Sequence, residues 1–198
     1  MNKKIALVDF DETLIKVDSL AYILKKEKGF FDIPLIFCGF FIIISKPFGD
    51  KAYIKARSYF KKRLLKLIKR LSQEKKNKYI VYFRNCINQN VFDHIKNNGY
   101  DEVTIVSAGE QHIISATVDG MLHINHIISN DWDHVDGFVT CWGTEKVRRV
   151  KEIYKDSNHY HFTLLTDSFH DGPLMEMCNK TYLISKDGSI KLFNDRII

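Results

Sequence analysis

Asp9 and Asp11 stand two residues apart, directly after the apolar run Ile5-Ala6-Leu7-Val8. Similar junctions recur twice downstream. Val103-Thr104-Ile105-Val106 leads into Ser107-Ala108-Gly109, and Phe162-Thr163-Leu164-Leu165-Thr166 leads into Asp167-Ser168-Phe169-His170-Asp171. Lys146 lies between the last two. If the runs are parallel strands of one sheet, their carboxyl ends open onto a common crevice, where α/β sheets bind ligands. The four aspartates at the first and third of these strand ends cannot share a partly dry crevice uncompensated, because their repulsion disfavours ionisation. A hard divalent cation resolves the conflict, and Mg2+ takes one or two carboxylates with waters and phosphate oxygens. Lys146 and the Ser107 hydroxyl then suit an anionic group. Carboxylates, Mg2+, lysine and serine together point to phosphoryl chemistry.

The elements that must position these groups follow from apolar runs and breakers. Residues 5–8, 103–106, 126–129, 162–166 and 182–185 read as strands. Helices are expected over 14–28, stopped by Gly29, and over 110–118, 145–155 (capped by Thr144) and 174–178. Asp119-Gly120, Asp136-Gly137 and Asp187-Gly188 mark turns, the last of a hairpin. Residues 30–98 lack strand alternation and read as helices closed by Asn97-Asn98-Gly99. Within them Phe60, Leu64, Leu67, Ile68 and Leu71 form one apolar face, ringed by Lys61, Lys62, Arg63, Lys66, Lys69 and Arg70. The expectation is an α/β protein: a Rossmann-like parallel core from residues 1–15 and 100–198, with an inserted α-helical cap over 16–99.

Asp-x-Asp-x-Thr at 9–13, Ser107, Lys146 before a helix and Asp-Ser-x-x-Asp-x-Pro-Leu-Met at 167–175 occur in the order of the four motifs of the haloacid dehalogenase superfamily. The chain resembles that superfamily over essentially its whole length. The helical insertion between the first and second motifs is similar to that of the phosphoserine-phosphatase-like subgroup. The stretch "DGFVTCWGTEKVRRVKEIY" looks like a group of uncharacterised bacterial phosphatases. The resemblance implies Asp9 as nucleophile, through an aspartyl-phosphate, and Asp11 as the acid that protonates the leaving alcohol and then activates water. It implies Ser107, Lys146 and Thr13 around the phosphate. It implies Mg2+ as cofactor, held by Asp9, Asp167 and the Asp11 carbonyl, with Asp171 supporting the metal shell. Family dehalogenases lack an acid at the position of Asp11, which argues against a carbon–halogen substrate. Two residues depart from the pattern: Glu12 where Gly or Ser is common, and Thr166 where Gly is usual.

Length and composition fit this picture. The 198 residues are about one domain with an insertion, and 45% hydrophobic against 27% charged excludes wholesale disorder. Cys38, Cys86, Cys141 and Cys178 form no C-x-x-C pair, so neither a zinc knuckle nor a redox motif is read. Scattered cysteines, and an early apolar run too short for a secretory segment, suggest a reducing, cytoplasmic setting. His123/His126 and His159/His161 read as ordinary histidines rather than a zinc site, and His170 as a loop residue.

The net charge of +6 conceals an asymmetry: residues 46–78 carry thirteen Lys/Arg against two acids. Just before them, residues 30–44 are the most apolar stretch, shorter than a spanning helix needs. Three readings stay open: the cap's own core with a charged outer face, a peripheral device for an anionic membrane surface, and a nucleic-acid surface. The last lacks any accompanying motif and is not expected. The expected partner is a small phosphorylated substrate, with Lys16, Asp18, Lys55 and Arg57 as candidate cap contacts. Phosphoserine, a sugar or polyol phosphate and a lipid headgroup of the phosphatidylglycerophosphate type all remain candidates. Two other classes compete: a receiver-like protein that stores the phosphoryl group, and a non-catalytic membrane-binding protein. The oligomeric state is not legible.

Overall fold

The computed structural model describes residues 2–27, 50–131, 138–155 and 159–195. Strand β1 (Lys3–Val8) is followed by a tight turn over Phe10–Leu14 and helix α1 (Ser19–Lys26). Helices α2 (Asp50–Lys69), α3 (Gln73–Asn85) and α4 (Gln89–Asn97) precede β2 (Glu102–Glu110), α5 (Gln111–Val118) and β3 (His126–Asn130). Then come α6 (Thr144–Ile153), β4 (Tyr160–Thr166), a 3-10 turn at Phe169–Asp171, α7 (Gly172–Met177), β5 (Lys180–Ile184) and β6 (Ile190–Asp195). The apolar stretch 30–44, Gly29 and the Asp136-Gly137 turn lie outside the described residues.

Among the described residues the strands form one six-stranded sheet, in the order β3-β2-β1-β4-β5-β6. All neighbours pair parallel except β5 and β6. Alternation along β1 explains the burial on both faces. Ala6 and Val8 pack with Val91 and Ile95 of α4 and Ile113 and Ile114 of α5. Ile5 and Leu7 pack with Val150 of α6 and Leu174 of α7. A strand covered on both faces has no polar side, so it reads as a continuous apolar run. This is the expected Rossmann-like α/β core with helices inserted after the first strand.

Several boundaries differ from expectation. The helix expected from residue 14 begins at Ser19, where the Asp18 carboxylate accepts from the Ala21 N–H at 2.8 Å. Leu14 and Ile15 are buried in the hinge instead, with Ile15 bridged to Ile87 on the returning chain. An apolar residue fits either setting, so the run alone did not separate them. The helix carrying Lys146 is preceded by Gly143 at φ +56° with no side-chain cap. Thr144 is therefore its first residue, not its cap. The Asp187-Gly188 turn does close a hairpin, with Gly188 at φ +84°.

On α2, Leu64, Leu65 and Ile68 are buried, with Leu71 just past the helix end, while Phe60 and Leu67 of the expected face are only partly buried. Helix α3 is more polar and packs largely through aromatic rings. Tyr22 of α1 stacks on Tyr82 at 4.1 Å and meets Phe83 edge-on at 5.8 Å. Arg84 ties this helical layer to the core: its guanidinium donates to the carbonyls of Ala116, Thr117 and Asp119 at the end of α5. No helix among the described residues is long and apolar enough to cross a membrane.

Candidate active site

Because β1, β2 and β4 are parallel neighbours, Asp9, Ser107 and Asp167 emerge at the same edge of the sheet. Asp9 continues the ladder for one residue, its N–H donating to the Leu165 carbonyl at 2.9 Å. Its side chain turns back to accept from the Phe10 N–H at 2.9 Å. The chain then makes the Phe10–Leu14 turn, in which Glu12 holds φ +56°. A residue with a Cβ pays about 1 kcal/mol in that region. Glycine would not, although it adds freedom to the unfolded chain. Glu12→Gly is therefore expected to stabilise the protein by about 0.5–1 kcal/mol, read as a raised urea midpoint at unchanged slope. A lowered midpoint would mean that the Glu12 side chain contributes more than its strain costs.

Lys146, in the first turn of α6, reaches into the crevice and is 3% exposed. Its ammonium lies 2.8 Å from Asp171 Oδ1, 2.9 Å from Asp171 Oδ2 and 3.3 Å from Asp9 Oδ1. Asp171 also accepts from the Thr166 hydroxyl at 2.8 Å. Both of its oxygens are thereby turned toward Lys146 and Thr166. Asp171 sits at the head of α7 yet makes no side-chain cap bond there. Thr166, where the family pattern leads one to expect glycine, is a buried donor that helps fix this pair.

Asp167 is half-buried. Its N–H donates to Thr13 Oγ1 at 2.9 Å, and the same hydroxyl donates to Asp167 Oδ1 at 3.2 Å. Asp11 faces the other way: its Oδ1 accepts from the Ser19 N–H at 2.8 Å, at the start of α1. Ser107 is buried and its hydroxyl accepts from the Gly109 N–H at 3.0 Å. Gly109 is closely surrounded. A methyl there would lie 2.9 Å from Ile114 Cδ1, 3.2 Å from Ser107 Oγ and 3.5 Å from Asp11 Oδ2. Ser107 and Asp11 thus share one wall.

Burial sets the electrostatics. It pushes the Asp9 carboxyl up to about 7; Lys146 opposes this, while Asp171, Asp11 and Asp167 add to it. Burial pushes Asp11 up to about 6, with Asp18 adding and the Ser19 N–H and Lys61 opposing. Asp167 is raised as well, again first by burial. For Lys146 burial works against the charge, but Asp9 and Asp171 outweigh it and the net shift is upward. Lys61, a half-buried lysine of α2 read from the sequence only as part of a basic ring, is lowered by burial while the charges of Asp11 and Asp18 oppose that.

Two of the carboxylates, those of Asp9 and Asp171, gather around Lys146. Among the described residues no set of three or more His, Cys, Asp or Glu is arranged to hold a metal ion. A two-carboxylate set suits Mg2+ nonetheless, since it keeps several waters. Asp9 and Asp167, both raised by burial and by neighbouring carboxylates, with the Asp11 carbonyl between them in the chain, are hard oxygen donors of the right kind. Asp171 is less suited, being saturated by Lys146 and Thr166.

The candidate cap contacts divide. Asp18 is exposed and spends its carboxylate capping α1. Lys55 is exposed on α2. Arg57 lies with its guanidinium 4.5 Å from the Trp142 ring centre and donates to the Tyr53 hydroxyl at 3.1 Å. Trp142 in turn meets His170 at 5.6 Å. Lys16 lines a cavity of about 360 Å3 with Glu12, Asn88, Asp167 and Lys186. A larger cavity, about 540 Å3, lies against α6 near Arg148 and Arg149 and is lined by none of the candidate site residues.

Among curated proteins none matches the sequence. A protein of unknown function from Bordetella pertussis Tohama I superposes with a TM-score of 0.63 at 18% identity, over 91% of this chain and 89% of the other. A phosphoserine phosphohydrolase-like protein from Francisella tularensis subsp. tularensis SCHU S4 gives 0.56 at 18% identity, over 93% and 88%. A substrate-bound phosphoserine phosphatase gives 0.55 at 18% identity, over 91% and 85%. At such identities these likenesses establish the fold. The haloacid dehalogenase-like hydrolase profile matches residues 6–176. Asp9, Ser107, Lys146 and Asp167 all fall inside that span, which covers most of the sequence, and the chain belongs to the haloacid dehalogenase-like hydrolase family.

Proposed function

We propose that this hydrolase is a phosphatase that cleaves a phosphate monoester through an aspartyl-phosphate on Asp9. The observation that carries the reading is the pairing of two unlike carboxyl groups. Asp9 is tied to a buried ammonium at 3.3 Å, and Asp11, two residues on, has a carboxyl raised to about 6. A carboxyl fixed beside a buried cation suits a nucleophile, and one raised toward neutrality on the opposite side of the same turn suits a proton donor and acceptor. An Asp9 oxygen attacks phosphorus and the bond from phosphorus to the alcohol oxygen breaks. Asp11 gives its proton to that oxygen. Asp11 then takes a proton from a water that attacks phosphorus, which breaks the bond to Asp9 and frees phosphate. Lys146 and Ser107 hold phosphoryl oxygens throughout. Mg2+, bound by Asp9, Asp167 and the Asp11 carbonyl, would supply charge neutralisation for the same oxygens.

In this reading residues 16–99 form the cap over a core of 1–15 and 100–198. Helices α1 to α3 roof the crevice, and α4 returns the chain to the sheet. The alcohol half of the substrate would sit between that roof and Asp11.

The test is turnover of amino-acid, sugar, nucleotide and lysophospholipid phosphates with Mg2+, repeated in EDTA, for the native and Asp11→Asn proteins. EDTA should abolish turnover. Asp9 must be ionised and Asp11 protonated, and the two are raised to about 7 and about 6, so turnover of an alkyl phosphate should peak between those values and decline above about pH 7. Turnover of p-nitrophenyl phosphate, whose leaving group needs no proton, should not. Asp11→Asn should lower the alkyl rate by 10²–10⁴-fold. A long-lived phosphoprotein with negligible hydrolysis would instead favour a receiver-like protein.

A further inference from the structure

Asn130 closes β3 and is 0% exposed. Its amide has three partners, one on the irregular end of β2 and two on the segment before α6. Nδ2 donates to the Ala108 carbonyl at 2.7 Å and, at 3.5 Å, to Thr140 Oγ1. Oδ1 accepts from the Cys141 N–H at 2.8 Å. Ala108 directly follows Ser107, and Cys141 stands five residues before Lys146. Between Cys141 and Lys146 the backbone leaves little slack. The Trp142 carbonyl accepts from the Glu145 N–H at 3.1 Å, and the Gly143 carbonyl from the Lys146 N–H at 3.1 Å. From the other side, Ser58 of α2 accepts from the Thr140 N–H at 3.2 Å.

We propose that Asn130 is a positioning residue for the phosphate site: its one buried amide sets the distance between the irregular end of β2 that carries Ser107 and the loop leading to Lys146. The inference rests on the phosphatase reading, in which those two side chains hold the same phosphoryl group. A side-chain amide suits the task because it presents a donor and an acceptor in a fixed plane, and in a dry setting each missing partner leaves a backbone group unpaired.

The test is calorimetric binding of inorganic phosphate in the presence of Mg2+, with kcat and KM for the best monoester. Asn130→Ala should weaken phosphate binding about tenfold and lower kcat/KM at least as much. Asn130→Asp matches the native side chain in size, keeps the acceptor for Cys141 and loses the donor to Ala108. It should fold and still show the loss. Ile95→Ala, in α4 away from both segments, is the control for stability alone. It should lower the melting temperature without changing phosphate affinity. Equal losses of affinity in Ile95→Ala and Asn130→Ala, or native affinity in both Asn130 variants, would overturn the proposal. If the native protein binds no phosphate with Mg2+, the phosphatase reading is what has failed.

Discussion

Asp9→Asn is expected to abolish turnover while making the metal-free protein more stable near pH 8. In the proposed mechanism the activity loss follows from removing the attacking oxygen's charge, and losing a nucleophile costs on the order of 10⁴-fold or more. The stability gain follows from the carboxyl's shift. Asp9 is 9% exposed and its pKa is raised from 3.8 to about 7, mostly by burial and despite Lys146. A carboxyl raised in the folded state favours folding when protonated. That contribution is fully present below about pH 4 and is lost as pH rises to about 7. Three pH units at 1.36 kcal/mol each set an upper bound of about 4 kcal/mol. Asparagine mimics the protonated form and does not ionise. Urea unfolding in EDTA should therefore show Asp9→Asn above the native protein at pH 8 and close to it at pH 4. A variant that is inactive and less stable at pH 8 would mean that Asp9 is held by attraction rather than against repulsion, contrary to the electrostatics described here.

How much of this was legible depends on what each feature asks of the chain. Strand ends need only a run of apolar residues and a polar stop, so Asp9, Ser107 and Asp167 could be placed at one sheet edge without coordinates. Lys146 was legible as a cation near that edge, but its partnership with Asp171 was not. That contact depends on how α6 and the turn at Phe169–Asp171 approach each other, and nothing in the spacing of 146 and 171 encodes it. The same holds for Thr166, which reads as a departure from a family pattern and proves to be a buried partner of Asp171. Asn130 gave no signal, because a lone asparagine at the end of a short strand reads as a turn former. Gly143 was overlooked beside Thr144, although a positive φ before a helix is a use glycine serves at low cost. Lys61 was visible only as one lysine in a basic face. Its nearness to Asp11 and Asp18 depends on where α2 packs in three dimensions, which residue spacing does not encode.

Lys146→Met should cost about 3–5 kcal/mol near pH 8, and a second change should return most of it. The lysine is the cation within 3.3 Å of two of the site's carboxylates, Asp9 and Asp171, and all three side chains are nearly excluded from water. Breaking a buried ion pair by deleting one partner leaves an uncompensated charge, which is where a penalty of that size arises. Methionine fills a similar volume, so the loss is electrostatic rather than a cavity effect. Two consequences separate this from packing. The penalty should shrink at pH 5, where Asp9 is protonated, because there is less charge left to compensate. The double variant Lys146→Met/Asp171→Asn should recover stability at pH 8 although each change alone destabilises, a coupling that a thermodynamic cycle reads directly. Neither protein should turn over substrate, because the phosphoryl oxygens have lost their ammonium. A penalty below about 1 kcal/mol at pH 8, or one that is equal at both pH values and unrelieved by Asp171→Asn, would show that Lys146 does not neutralise the site and that another cation does.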